Sequence, residues 1–579
     1  MRMRSSPQGR RSHQRGGRQT MSSSLPITGT DKSLDSALRR LVRPVADRAR
    51  YYLILVAQIG GLLALLKISH GVTAINNYYG VVLPVALALA MTRVRFAAAD
   101  LAAVRLLQMI GAIAGGYALI HYPLFPIVLP GAKATVAVGA IAVLWVAAVA
   151  GGVLCLRWPS LALISATYLV WSKQAVIRVT GLWHGHIIDV LPLAEVSFCL
   201  VAGLLVAHMT ARIRDWPGLG ALARADVAAA STMFSKVLIA AAISIHLGNY
   251  YSSFLAKVTL DEGPLSWLLN NDPGKIFVVG LDNNHVPYAG WPVLVEAMRM
   301  ILSHSSALTN TLILFGQGIA LVGILMPRRW LLLLLLGFDV MHLSIIVLMG
   351  ANFAPWIMLN LAIAAVVVSR HYERPPVSVG ILSVLFILTG NTFMTQAWLG
   401  WYDTLANNKM YFEAIDRNGQ RHYVPTNFFT FYSYPFAHMA YGAPDAAHAF
   451  ALDNPNGGTQ VFRKVTASTA CDVPVLTAPD GMGQEYAKTE IDGPAMDAYI
   501  RGYHRLVSAI RDRTGLFPYA LYPHHFFVPL QYAAGFDTVA MADIVAYVYR
   551  RESVCFSMQD GVTVRRVVSE AEHRIDLTP

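Results

Sequence analysis

The chain has 579 residues, 55% hydrophobic and only 14% charged, with a mean hydropathy of +0.46. Soluble globular chains carry about 25% charged residues, which excludes a body made of soluble domains alone. The formal net charge of +12 does not point to nucleic acid, because residues 1–50 concentrate twelve Lys/Arg against Asp31, Asp35 and Asp47.

In chain order, residues 1–50 lack an apolar run and are rich in Arg, Ser, Gln and Gly. They read as a disordered, basic cytoplasmic tail near anionic headgroups. A cleaved leader is the other reading, but no small-residue cleavage site follows a hydrophobic core. From 51 to 397 apolar runs dominate. Runs of span length lie near 52–68, 103–120, 134–155, 190–211, 227–247, 307–325, 330–350 and 379–396. Shorter ones lie near 80–92, 159–172 and 353–368. Lipid offers the backbone no hydrogen-bonding partner, so these segments must be helical or otherwise internally hydrogen-bonded, and each of the shorter ones can span, tilt or re-enter. The fold class is therefore a polytopic α-helical membrane protein of about 10–11 spans, followed by an extramembrane α+β domain over 398–579.

Basic residues set the orientation. With the tail inside and all eleven spans counted, Arg93, Arg95, Arg157, Arg212, Arg214, Arg328, Arg329, Arg370 and Arg374 share the cytoplasmic side. Lys173 and Arg178 are exceptions. The connection 248–306 and the C-terminal domain then face outward, across a cell (inner) membrane. Cys155 and Cys199 fall in apolar spans as buried hydrophobes. Cys471 and Cys555 fall in the outward domain, where an oxidising compartment permits a disulfide between them. In that domain Met410–Ile415 and Arg421–Val424 flank Asp416-Arg417-Asn418-Gly419, a hairpin signal. Further strands are expected near Thr459–Val465 and Gly561–Val568, with a helix over Pro494–Arg511.

Ionisable residues inside apolar runs are functional candidates, because burying them is costly unless they are paired. Trp183, His184 and His186 precede Asp189 at the start of a span. Their spacing does not suit a metal on a helix, and no metal is expected. A proton-handling or quinone-contacting role stands beside a plain interfacial one. His246, Tyr250, Phe254 and Lys257 recur on one helix face. A lysine held out of water there can serve as a base, and a lysine at the rim can instead snorkel. Asp339 and His342 share a face within an unbroken apolar run, and a hydrogen-bonded pair is expected.

The Tyr250-x-x-Ser253-x-x-x-Lys257 pattern with Trp267 ten residues on resembles the signature of vitamin K-dependent γ-carboxylase-like proteins, part of the bacterial HTTM group. Phe338…His342, with Gly350-x-x-Phe353-x-x-x-x-Met358-Leu359 after it, is similar to the His-bearing span of that family. Trp183-x-x-His186 and the Phe412–Asn427 region are similar in the same order. The glycine before the family's lysine is replaced here by Phe254 or Leu255, and a second lysine is missing. The resemblance implies a lyase-type carboxylase. Lys257 would be the catalytic base, His186 and His342 would line the site, and Trp183, His184, Tyr250, Trp267 and Asp339 would contact the substrate. It also implies a reduced, vitamin K-like quinone as cofactor, a lipophilic small molecule as ligand and a protein or peptide substrate on the non-cytoplasmic side.

Two other classes remain. Gly181-Leu182-Trp183-His184-Gly185 also resembles the histidine region of membrane-bound O-acyltransferases, although their upstream polar motif is missing before Leu161. A non-enzymatic binding or assembly protein would use the outward domain for a partner and Asp339–His342 to fasten helices.

Overall fold

The computed structural model describes residues 32–74, 79–121, 132–180, 188–215, 218, 220–260, 263–400, 403, 405–425, 428–429, 493–515, 534–559 and 562–577. Its helices are α1 (Lys32–Ala74), α2 (Tyr79–Ala90), α3 (Leu101–His121), α4 (Ala132–Leu154), α5 (Ala162–Thr180) and α6 (Leu191–Arg214). They continue with α7 (Ala221–Val258), α8 (Ser266–Asn270), α9 (Pro273–Asp282), α10 (Pro292–Ile319), α11 (Arg328–Met349), α12 (Ala354–Val368) and α13 (Val377–Leu388).

Among the described residues, six helical segments are long and apolar enough to cross a membrane: Ala49–Gly71, Ala98–Ile120, Leu191–Arg214, Ala223–Val258, Pro292–Leu325 and Arg328–Met349. The apolar helices Val81–Arg93, Gly139–Leu154, Pro159–Ser172, Ala354–Val368 and Val377–Leu388 are shorter. Large apolar side chains such as Leu308, Leu312 and Phe315 on α10 and Leu333, Leu336 and Val340 on α11 are exposed. A soluble protein rarely presents contiguous stripes of this kind.

Polar contacts cluster at the two ends of α7. At its N-terminal end Asp226 pairs with Arg50 at 3.4 Å and Lys236 with Glu373 at 2.7 Å. The sheet domain lies beyond its C-terminal end. The sequence places the end of this span near 247, yet α7 runs to Val258. Its polar extension stays helical because side chains return to the backbone: Asn249 Nδ2 donates to Ile245 O at 3.0 Å and Ser253 Oγ to Asn249 O at 2.9 Å. The expected loop 248–306 likewise contains α8, α9 and the first half of α10. Between α11 and α12 the chain turns at Gly350, whose φ of 69° is left-handed and whose N–H donates to Ile346 O. Asn352 Oδ1 caps Ala354 N at 2.9 Å, and Pro355 opens α12.

The C-terminal region holds β1 (Ala406–Asp416), β2 (Arg421–Val424), α14 (Gly493–Thr514), the short α15 (Ala534–Asp537), β3 (Ile544–Gln559) and β4 (Val562–Asp576). All pairings are antiparallel in the order β2-β1-β3-β4. The Asp416 turn forms as the Asn-Gly signal anticipates: Asp416 Oδ1 accepts from Asn418 N and Gln420 N, and Gly419 has φ of 79°. β3 was not anticipated; it forms because β1 and β4 flank it over nearly its whole length. Phe412, Phe428, Phe429, Tyr499, Tyr503 and Tyr547 pack into one core between sheet and α14. Phe428 and Phe429 are thus part of that core. Cys555 is disulfide-bonded, while Cys471 lies outside the described residues.

The sheet docks on the end of α9. Lys409 Nζ donates to Asp282 O at 2.5 Å and lies 3.6 Å from its carboxylate, and Arg565 Nε donates to Asp282 Oδ1 at 2.7 Å. Arg565 also pairs with Glu552, which accepts from Tyr411 OH at 2.7 Å. Burial pushes the Lys409 ammonium below its ordinary value, and Asp282 opposes that shift.

Candidate functional site

Three helices bring one polar network together in the bundle core. α7 supplies His246 and Tyr250, α11 supplies Asp339 and His342, and α12 supplies Asn360. All five are buried. Asn360 is the hub: its Oδ1 meets His246 Nε2 at 2.8 Å, and its Nδ2 donates to Tyr250 OH at 2.9 Å and Asp339 Oδ1 at 2.8 Å. Aromatic rings wall the network. Tyr250 stacks on Phe338 with centroids 3.6 Å apart, and His342 stacks on Phe353 at 5.1 Å. Both imidazoles contact Trp356, at 5.6 Å from His246 and 5.5 Å from His342, and both contact Tyr250. The Nδ1 atoms of His246 and His342 are buried with no hydrogen-bond partner among the described residues.

The expected Asp339–His342 hydrogen bond gives way to a different pairing. Sharing a helix face at i, i+3 brings two side chains near each other, but α12 packs across that face and its amide takes the carboxylate. Phe254 stacks on Tyr251 and abuts Gly318 of α10.

Lys257 lies seven residues beyond Tyr250, about 10 Å further along the helix. Its amine is buried as the sequence anticipates, and it is engaged: Nζ donates to Leu399 O at 2.6 Å, reaches Ser253 O at 3.4 Å, and stands 5.2 Å from the centre of the Trp267 ring. The chain leaving α13 is thus strapped along the outer part of α7. Ala397 N donates to Asn249 Oδ1 at 2.9 Å, and a Cβ on Gly400 would stand 2.6 Å from the Ala256 carbonyl. Further out, Asn271 exchanges hydrogen bonds with Asp403 at 3.0 and 2.8 Å. Burial pushes Lys275 on α9 below its ordinary value, against Asp272 and Asp403.

The anticipated residues therefore fall into two groups. Tyr250, Asp339 and His342 join the inner network; Lys257 and Trp267 form an outer clamp. Trp183, His184 and His186 lie outside the described residues. The described chain resumes at Ile188, whose carbonyl accepts from Trp356 Nε1 at 3.1 Å. Sequence reading missed Asn360 and Trp356. Asn360 carried a usable signal, being a lone amide in the apolar run of α12. Among the described residues, no group of three His, Cys, Asp or Glu side chains comes together to hold a metal.

Comparison finds no family model, curated protein or solved structure that matches this chain.

Proposed function

We propose that the chain is a multi-pass membrane enzyme that takes a proton from a lipophilic, quinol-type substrate beside His246 and His342. One observation carries the reading: two imidazoles in the bundle core each keep an Nδ1 that has no partner among the described residues. A buried polar atom left without a partner costs about 1–3 kcal/mol. That cost is understandable where the atom meets a bound group. Imidazole is also the commonest general base, acting within hydrogen-bond reach of the proton it removes.

The reduced quinone supplies the electrons. A quinol loses its hydroxyl protons, molecular oxygen adds to the ring, and the products are the quinone epoxide and one water. In this reading the imidazoles accept the first proton, and Lys257, spent on carbonyl groups, holds the exterior strap in place. Carboxylation of a protein or peptide on the non-cytoplasmic side would be a second step driven by the same oxygenation, as the carboxylase resemblance implies.

The test is incubation of purified protein with reduced menaquinone and ubiquinone under oxygen, with epoxide read by mass spectrometry. The reading expects epoxide from at least one quinol and none from His342→Ala. No epoxide from any quinol, with folded protein, removes it. A binding or assembly protein is the second reading, favoured by the engagement of Lys257; it expects no turnover, and tolerance of His342→Ala.

A further inference from the structure

We infer that Asn360 is a positioning residue that fixes His246 as the Nε2–H tautomer and so leaves Nδ1 as the proton-accepting atom. The inference deepens the proposed function and rests on it only for its catalytic consequence.

The argument is one of donors and acceptors. A carboxylate has no hydrogen to give, so Asp339 Oδ1 at 2.8 Å turns the amide nitrogen of Asn360 toward itself. The second hydrogen on Nδ2 serves Tyr250 OH at 2.9 Å. The amide oxygen is thereby aimed at His246 Nε2, 2.8 Å away, and an amide oxygen only accepts. Nε2 must then carry the hydrogen, and in the neutral ring Nδ1 carries the lone pair. That is the atom which has no partner among the described residues. The tautomer of a catalytic histidine is set by the bond its other nitrogen makes, and three helices supply that bond here. His342 has no equivalent orienting partner among the described residues, where it meets the rings of Tyr250, Phe353 and Trp356.

The experiment is nitrogen-15 NMR of histidine-labelled full-length protein in bilayers, with His246 assigned by loss of its signals in His246→Gln. Wild type should show Nε2 protonated and Nδ1 bare at neutral pH. Asn360→Leu, which removes the acceptor, should give a mixture of tautomers. Where a turnover assay exists, Asn360→Leu should lower kcat by about 100-fold with KM little changed. A wild-type His246 protonated on Nδ1 overturns the inference without any variant needing to fold. A single Nε2–H tautomer in a protein that oxidises no quinol upholds the inference and sinks the functional reading instead.

Discussion

The Lys257 amine donates to the Leu399 carbonyl at 2.6 Å, so the C-terminal end of α7 grips the chain that leads from α13 to the C-terminal sheet. Ser253 and Asn249, one and two turns earlier, hold the same strap at Ala397.

Removing that grip should loosen the strap before it disturbs the bundle. Lys257→Ala is expected to lower stability by about 2 kcal/mol, the usual size of a hydrogen bond to a charged group. Thermal unfolding in detergent measures it. An unchanged melting temperature would show that the strap is held elsewhere.

Gly400 is the strap's closest approach to α7. A Cβ there would meet backbone atoms of Ala256 at 2.6 Å, and backbone cannot swing aside as a flexible side chain does. Gly400→Ala should cost about 1–3 kcal/mol and expose 397–403 to protease. Equal cleavage rates in both proteins would contradict the packing.

Docking of the sheet depends on one carboxylate. Asp282, whose side chain is 10% exposed, faces both Lys409 and Arg565. Asp282→Asn should weaken docking by about 2 kcal/mol, since Arg565 keeps part of its hydration. Hydrogen exchange on β1 and β4 should rise in the variant. Protection equal to wild type would mean that the sheet is held by other contacts.

Acid should destabilise the C-terminal sheet domain through His504 on α14. Burial, reinforced by Arg505, pushes its imidazole down to about 4, below its unfolded value near 6.5. The unfolded chain therefore binds the extra proton first, and stability falls as pH drops from about 6.5 toward 4. His504→Leu should flatten the part of the melting temperature's pH dependence lying in that window. Asp416 and Glu552, both held below their ordinary values, should continue the acid loss at lower pH.

The buried histidines should matter to chemistry more than to folding. His246→Ala and His342→Ala are each expected to reduce turnover by about 100-fold or more, the range of general-base contributions. Expression and helical content should persist. Full activity in either variant would remove that imidazole from the proton path.

The sequence by itself determined the apolar helices, the Asp416 hairpin and helix α14, because each is a local matter. A helix satisfies its own backbone within one run, and a tight turn is chosen by the residues that make it. It also marked Tyr250, Lys257, Asp339 and His342 as polar groups in costly places. Which group each one meets was decided by packing alone. Asn360 reaches His246 across 114 positions of chain, and Leu399 reaches Lys257 across 142. Periodicity gives the face a residue occupies, whereas the helix laid against that face supplies its partner.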